Sequence, residues 1–128
     1  MAEIREYITQ TRENGSISIS EDVVSSIAAM AAMETEGVCG LNANLGADLA
    51  DMLGKKSLGK GIRLTVGEDE SIAIECYIIT KLGVSVLETA KNVQKAVCDT
   101  VQSVTGLKVT AVNVTVSGIL LPRETKRA

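Results

Sequence analysis

Side chains that commonly carry catalysis or bind metals are scarce in this sequence of 128 residues. It has no histidine, so the usual general base near neutral pH and the commonest metal ligand are both absent. Cys39, Cys76 and Cys98 form no Cys-x-x-Cys pair, and a nucleophilic thiol would need another base. Asp48 and Asp51 could form a carboxylate pair, although their spacing also suits a solvated helix surface. The sequence therefore predicts a protein that is not an enzyme, with no catalytic residue, cofactor or metal.

Residues 54–61 combine glycine with lysine, as many phosphate-binding loops do. They do not fit a P-loop, because Lys56 stands where Ser or Thr is needed and Leu49 stands where glycine is needed. Two interpretations stay open: contact with an anionic partner, such as lipid head groups or an RNA backbone, or a solvated loop. The candidate contact residues are Lys55, Lys56, Lys60 and Arg63.

The bulk composition limits the class of protein. The chain is 45% hydrophobic, as is ordinary for a globular protein, and Tyr7 and Tyr77 are its only aromatic residues. A formal charge of −3 gives no general attraction to nucleic acid or to an anionic membrane. No apolar run reaches the roughly 18 residues that span a bilayer. Residues 1–14 lack the apolar run of a secretory signal, and three widely spaced cysteines suit a reducing compartment. We expect a cytoplasmic protein without a direct membrane span.

The first third of the chain predicts a strand followed by a helix. Residues 4–9 alternate weakly, Asn14 and Gly15 suit a tight turn, and residues 16–20 alternate strictly, which indicates a strand. Ser20 is placed to cap a helix that Gly37 ends. The helix has no charge over residues 25–33, which is consistent either with close packing on a sheet or with an oligomer interface. The candidate interface residues are Ile27, Met30 and Met33.

The remaining segments complete an α+β pattern. Residues 37–41 are typical of a glycine-rich turn, and residues 47–53 could form a short helix. Ile62, Leu64 and Val66 alternate as one strand, and Ile72, Ile74, Cys76 and Ile78 alternate as the returning strand of a hairpin. Ser85 and Glu88 form a capping box for a long helix that Gly106 ends, and residues 108–117 alternate as a last strand.

These elements predict a mainly antiparallel sheet with two main helices packed on one face. The expected order is an optional first strand, a strand, a helix, a short helix, two strands, a long helix and a strand. We expect residues 1–15 to be an N-terminal extension that can add an edge strand. Residues 16–118 are then a single domain, and residues 119–128 are a short basic tail.

Several stretches, read together, resemble one known family. They are ISEDVV at 19–24, IAAMAAMETEGV at 27–38, KGIRLTVG at 60–67, YII at 77–79, GVSV at 83–86, VQKAV at 93–97 and TGLKVTAVNV at 105–114. The chain is similar over residues 16–118 to the alkaline shock protein family, the envelope stress response proteins of Gram-positive bacteria. The resemblance implies a non-enzymatic protein of envelope homeostasis, and the family offers no agreed catalytic residues to carry over. Some such proteins are tethered to the membrane by a separate anchoring protein, and some are linked to fatty-acid metabolism.

The leading interpretation is therefore a stress response adaptor that acts through protein–protein contacts, in the cytoplasm or at the membrane through a partner. The expected partners are another protein, such as a membrane-anchored one, and further copies of the chain. One alternative is a nucleic-acid-binding module that uses residues 54–61, whose affinity would fall steeply with salt. Another is a carrier of small acyl ligands in the aliphatic core, which would retain a bound lipid.

Overall fold

The computed structural model describes residues 7–41, 61–67 and 69–120. Within these ranges the chain forms six strands and two helices. Their bounds are β1 Tyr7–Arg12, β2 Gly15–Ser20, α1 Glu21–Met33, β3 Val38–Leu41, β4 Ile62–Val66, β5 Ile72–Lys81, α2 Val86–Thr105 and β6 Val109–Leu120.

The main sheet is built around β5, which pairs with three other strands. β6 pairs with it in parallel along one edge, and α2 makes the crossover connection that a parallel pair requires. Along the other edge, β4 pairs with the first half of β5 and β3 with the second half, both antiparallel. β3 and β4 therefore follow one another along the same edge.

The two faces of this sheet differ because side chains alternate along each strand. Ile72, Ile74, Cys76 and Ile78 of β5 are buried on the face that the helices cover. The intervening β5 residues are only partly buried and lie on what we call the open face; they are Ala73, Glu75, Tyr77 and Ile79. Among the described residues the helices cover only one face of this sheet, which explains why its strands alternate instead of being uniformly apolar.

Both helices begin at a serine cap. The Ser20 Oγ accepts from the Asp22 N–H at 3.0 Å, and the Ser85 Oγ accepts from the Glu88 N–H at 3.2 Å. α2 ends at Gly106, whose φ of 80° is the left-handed conformation that glycine adopts most easily. Small buried side chains of α1, such as Ala28 and Ala32, allow close packing against the sheet and α2.

β1 and β2 form a hairpin that is a separate two-stranded sheet. Its register pairs Arg12 with Gly15, so Glu13 and Asn14 are the two turn residues. The predicted turn at Asn14 and Gly15 was thus wrong by one position. Gly15 is instead the first residue of β2, where it takes a φ of 138° that glycine tolerates. Ile8 is buried and anchors the hairpin to the core.

The structure confirms the predicted α+β class, the β4–β5 hairpin and the long helix that Gly106 ends. Two local predictions were wrong. Residues 38–41 are the strand β3, not a turn; a bulge between Val38 and Gly40 breaks the alternation that identifies a strand. α1 ends at Met33, with Glu34 as its C-cap, earlier than the predicted end at Gly37. The short helix predicted at 47–53 lies outside the described residues.

Candidate functional site

One side of α1 points away from the core although its residues are apolar. Val23, Ile27 and Met30 have the i, i+4 and i+7 spacing that aligns side chains along a helix, and Met33 follows within one turn. Met30 is 54% exposed, Val23 48% and Met33 45%, whereas Ile27 is half-buried against the core. We call these four residues the α1 face.

The opposite side of α1 is also apolar, and it is buried. Val24, Ala28, Ala31 and Ala32 pack into the core. No charged residue occurs between Asp22 and Glu34, so α1 lacks the polar stripe that a surface helix normally shows. A helix with apolar residues on two sides and no charged residue in its last 11 positions is typical of one covered on both sides.

Covering the α1 face would release a useful amount of free energy. Complete burial of a valine or methionine side chain contributes about 1.5–3 kcal/mol. The three exposed members each retain about half of their surface in water, so their burial is worth on the order of 2–4 kcal/mol together. Since 1.4 kcal/mol changes an equilibrium constant tenfold, burial of this face would strengthen the binding of a partner by more than about tenfold.

Part of the predicted apolar pattern faces outward in the structure. In the sequence, Val23, Val24, Ile27, Met30 and Ala31 recur at helical spacing, which predicts one apolar side, but only Val24 and Ala31 are buried. In α2, helical spacing predicts one apolar stripe from Leu87 to Val104. Val93, Val97 and Val101 of this stripe are buried, whereas Leu87 and Val104, at its two ends, are each 63% exposed. Periodicity identifies apolar positions, but it does not tell which of two adjacent apolar sides meets the sheet.

Arg63 is the one member of the predicted basic set that lies in the described part of the chain; Lys55, Lys56 and Lys60 lie outside it. It is exposed on the open face of β4, and the strand register places it opposite Glu75 of β5. The Tyr77 hydroxyl donates to the Glu75 carboxylate at 3.2 Å. Opposite charges placed across an antiparallel pair attract each other, so Glu75 competes with an anionic ligand for Arg63.

The three cysteines are free thiols in different environments. Cys76 is buried in the centre of β5, and this burial raises its pKa to about 12, so its thiol is neutral at physiological pH. Cys39 and Cys98 are half-buried. The wide spacing of the cysteines predicts small buried hydrophobic groups and not a disulfide framework; burial is confirmed for Cys76 and is only partial for the other two.

The arrangement of possible metal ligands and the hydropathy of the helices bear on metal and membrane binding. Over residues 7–41, 61–67 and 69–120, no group of three or more His, Cys, Asp or Glu side chains is placed to hold a metal ion. Neither of the two helices in those ranges is long and apolar enough to cross a bilayer.

The sequence matches one family over most of its length. Residues 9–121 fit the model of the alkaline shock protein family, which is described as having a cell envelope-related function.

Similar proteins occur in two bacteria. The chain is 30% identical over 105 residues to the uncharacterized protein YqhY of Bacillus subtilis. This alignment covers 82% of the chain and 77% of YqhY. The chain is 35% identical over 112 residues to the uncharacterized protein Spy1535 of Streptococcus pyogenes serotype M6. This alignment covers 88% of the chain and 84% of Spy1535. Among solved structures, MamM CTD structures align with a TM-score of 0.47 and 18% identity, over 77% of this chain and 94% of theirs.

Proposed function

The chain belongs to the alkaline shock protein family, whose function is related to the cell envelope, and from this membership we propose that it is a non-enzymatic adaptor in envelope stress and homeostasis. It acts by binding another protein through the α1 face, in the cytoplasm or at the membrane surface when the partner is anchored there. The exposed, uncharged α1 face carries the proposal.

The surroundings of the α1 face indicate the chemistry of the partner. Glu21 and Asp22 lie at the start of α1, and Glu34 and Glu36 follow its end, so both ends of the apolar strip are acidic. A partner helix with an apolar stripe between lysine or arginine residues would match this pattern in both hydrophobicity and charge. The adaptor is thus expected to select a basic amphipathic helix.

The first experiment is a crosslinked pull-down of the tagged protein from its own host, read by mass spectrometry. Each sample is divided into a nuclease-treated and an untreated half. Recovery in both halves of a membrane-anchored protein, or of envelope or fatty-acid enzymes, supports the adaptor function. Partners that disappear with nuclease would instead indicate nucleic-acid binding, and a lipid retained in the native mass spectrum would indicate an acyl carrier.

A double substitution tests the surface itself. Met30→Gln with Met33→Gln keeps the side-chain length but makes the α1 face polar, and we expect at least about a tenfold lower recovery of the partner. The control is Val104→Gln, which changes an apolar residue of α2 that is at least as exposed as either methionine. Equal recovery by both variants would contradict the proposed use of the α1 face.

A further inference from the structure

The outer edge of β6 is a second surface on which a partner could bind. β6 is 12 residues long and pairs with β5 along one edge. In the ranges that the structure describes, no strand pairs with its other edge. Backbone amide and carbonyl groups on such an edge can form hydrogen bonds with an added strand.

Two glutamines of α2 show which backbone groups lie on that edge. The Gln102 Oε1 accepts from the Val109 N–H at 3.0 Å, and the Gln94 Nε2 donates to the Val112 carbonyl oxygen at 2.9 Å. Those groups of Val109 and Val112 therefore point away from β5. Since backbone direction alternates along a strand, the amides and carbonyls of Val114 and Val116 point outward as well. The glutamines therefore occupy outward backbone groups of Val109 and Val112, and the outward groups of Val114 and Val116 lie beyond them.

β6 lacks two of the features that normally prevent strand pairing at an edge, charged residues and proline. Neither occurs from Val109 to Leu120. Its register against β5 shifts near each end, between Ile72 and Ala73 and again between Ile78 and Ile79. The segment 111–116 between those two shifts is regular, and it is the part best suited to accept a strand.

Leu87 gives an independent indication that this edge is covered. It lies seven residues before Gln94, so both side chains are on nearly the same side of α2. At about 1.5 Å per helical residue and about 3.3 Å per strand residue, the Leu87 level corresponds to about Thr115 of β6. Leu87 is 63% exposed. A strand added beside Val114 and Val116 would lie under this leucine.

We propose that the occupant is the β6 strand of a second copy, paired antiparallel about a two-fold axis at Thr115. In this register Val114 of one copy pairs with Val116 of the other through outward backbone groups, and the two Thr115 residues face each other. β6 itself supplies a matching strand, because it has neither a charged residue nor proline over its 12 residues, so pairing two copies buries no charge and loses no backbone N–H donor.

The side chains fit the same register. Val112, Val114 and Val116 lie on the helix-covered side of the sheet, so the valines of the second copy cover Leu87. Thr115 lies on the open face, and facing threonines are a favourable cross-strand pair. The contact is separate from the α1 face, so it does not depend on the proposed adaptor function.

The first test measures the dimer dissociation constant of the full chain by sedimentation equilibrium. Leu87→Lys places a charge beside the paired strand, and we expect dimerisation to weaken by at least about tenfold. Val104→Lys, with the same exposure and the same added charge at the other end of α2, should leave the constant unchanged. A wild-type chain that stays monomeric at high concentration overturns the proposal, as does equal weakening by both variants.

The second test fixes the register by disulfide crosslinking. In a Cys39→Ser, Cys98→Ser background, Thr115→Cys places two thiols across a non-hydrogen-bonded pair, where Cα atoms are about 4.5 Å apart. Ala111→Cys on the same strand would lie about 26 Å from its copy. Mild oxidation should produce a covalent dimer of the first variant only. Equal crosslinking of both, or none of either, overturns the register.

Discussion

Burial of the Cys76 thiol makes the stability of the folded state depend on pH in the alkaline range. It is fully buried on β5, between the layers of helix and sheet, and its pKa is raised to about 12 because a thiolate would lose its hydration there. The folded state therefore favours the neutral thiol. The corresponding contribution to stability is complete below the ordinary pKa of 9.0 and is lost as the pH rises from there toward 12.

We predict that replacing this thiol makes stability less sensitive to alkaline pH. Cys76→Ala should lower the free energy of unfolding at pH 8 by about 1–2 kcal/mol through the small cavity it leaves. Between pH 8 and pH 10.5 the variant should then lose less stability than the wild type, because it has no buried thiol to ionise. Urea unfolding at both pH values measures this, with Cys39→Ala as the half-buried control. An identical loss in Cys76→Ala and wild type would contradict the prediction.

At the scale of elements, the capping serines determine where the helices begin. We predict that Ser85→Ala lowers the free energy of unfolding by about 1 kcal/mol, since the Glu88 N–H loses its acceptor. Ser103→Ala, at an exposed position inside the same helix, should be neutral or slightly stabilising, because alanine is the better helix former. Thermal or urea unfolding distinguishes the two. A Ser103→Ala variant as unstable as Ser85→Ala would argue against the cap.

The elements whose patterns are local were predictable from the sequence. Ser85 and Gly106 identify both ends of α2, and the alternation from Ile72 to Ile78 identifies β5, because caps and strand periodicity need no tertiary information. β3 was missed because it is short and bulged. The separate sheet formed by β1 and β2 was not foreseen, since strand partners depend on long-range packing.

The candidate site was predicted only as a set of residues. An uncharged helix indicated Ile27, Met30 and Met33, but their exposure depends on which side of α1 the sheet occupies. Leu87 and the outer edge of β6 were not identified, because an edge exists only once the strand order is known.

At the scale of the whole molecule, the basic residues 55–60 should contribute little to folding. Changing Lys55, Lys56 and Lys60 to glutamate alters the formal charge from −3 to −9, two units for each of three residues. On the solvated-loop interpretation of residues 54–61, we predict an unchanged urea midpoint at moderate salt, because charge reversal at a protein surface usually changes stability little. Arg63→Glu, which places a carboxylate opposite Glu75, should instead cost up to about 1 kcal/mol. A large loss of stability in the triple variant would show that the segment packs on the domain.

The distribution of bulges in the main sheet has a consequence for how the gene can change in length. β5 pairs with β3, β4 and β6. The register shifts of this sheet occur where β5 pairs with β3 and where it pairs with β6. Removing one codon within β5 would turn every following side chain to the opposite face against several neighbours at once. A codon gained or lost in β6 could be absorbed by a change at one of its two bulges, so the remaining side chains would keep their faces. Length differences that homologues have accumulated are therefore expected outside residues 72–81.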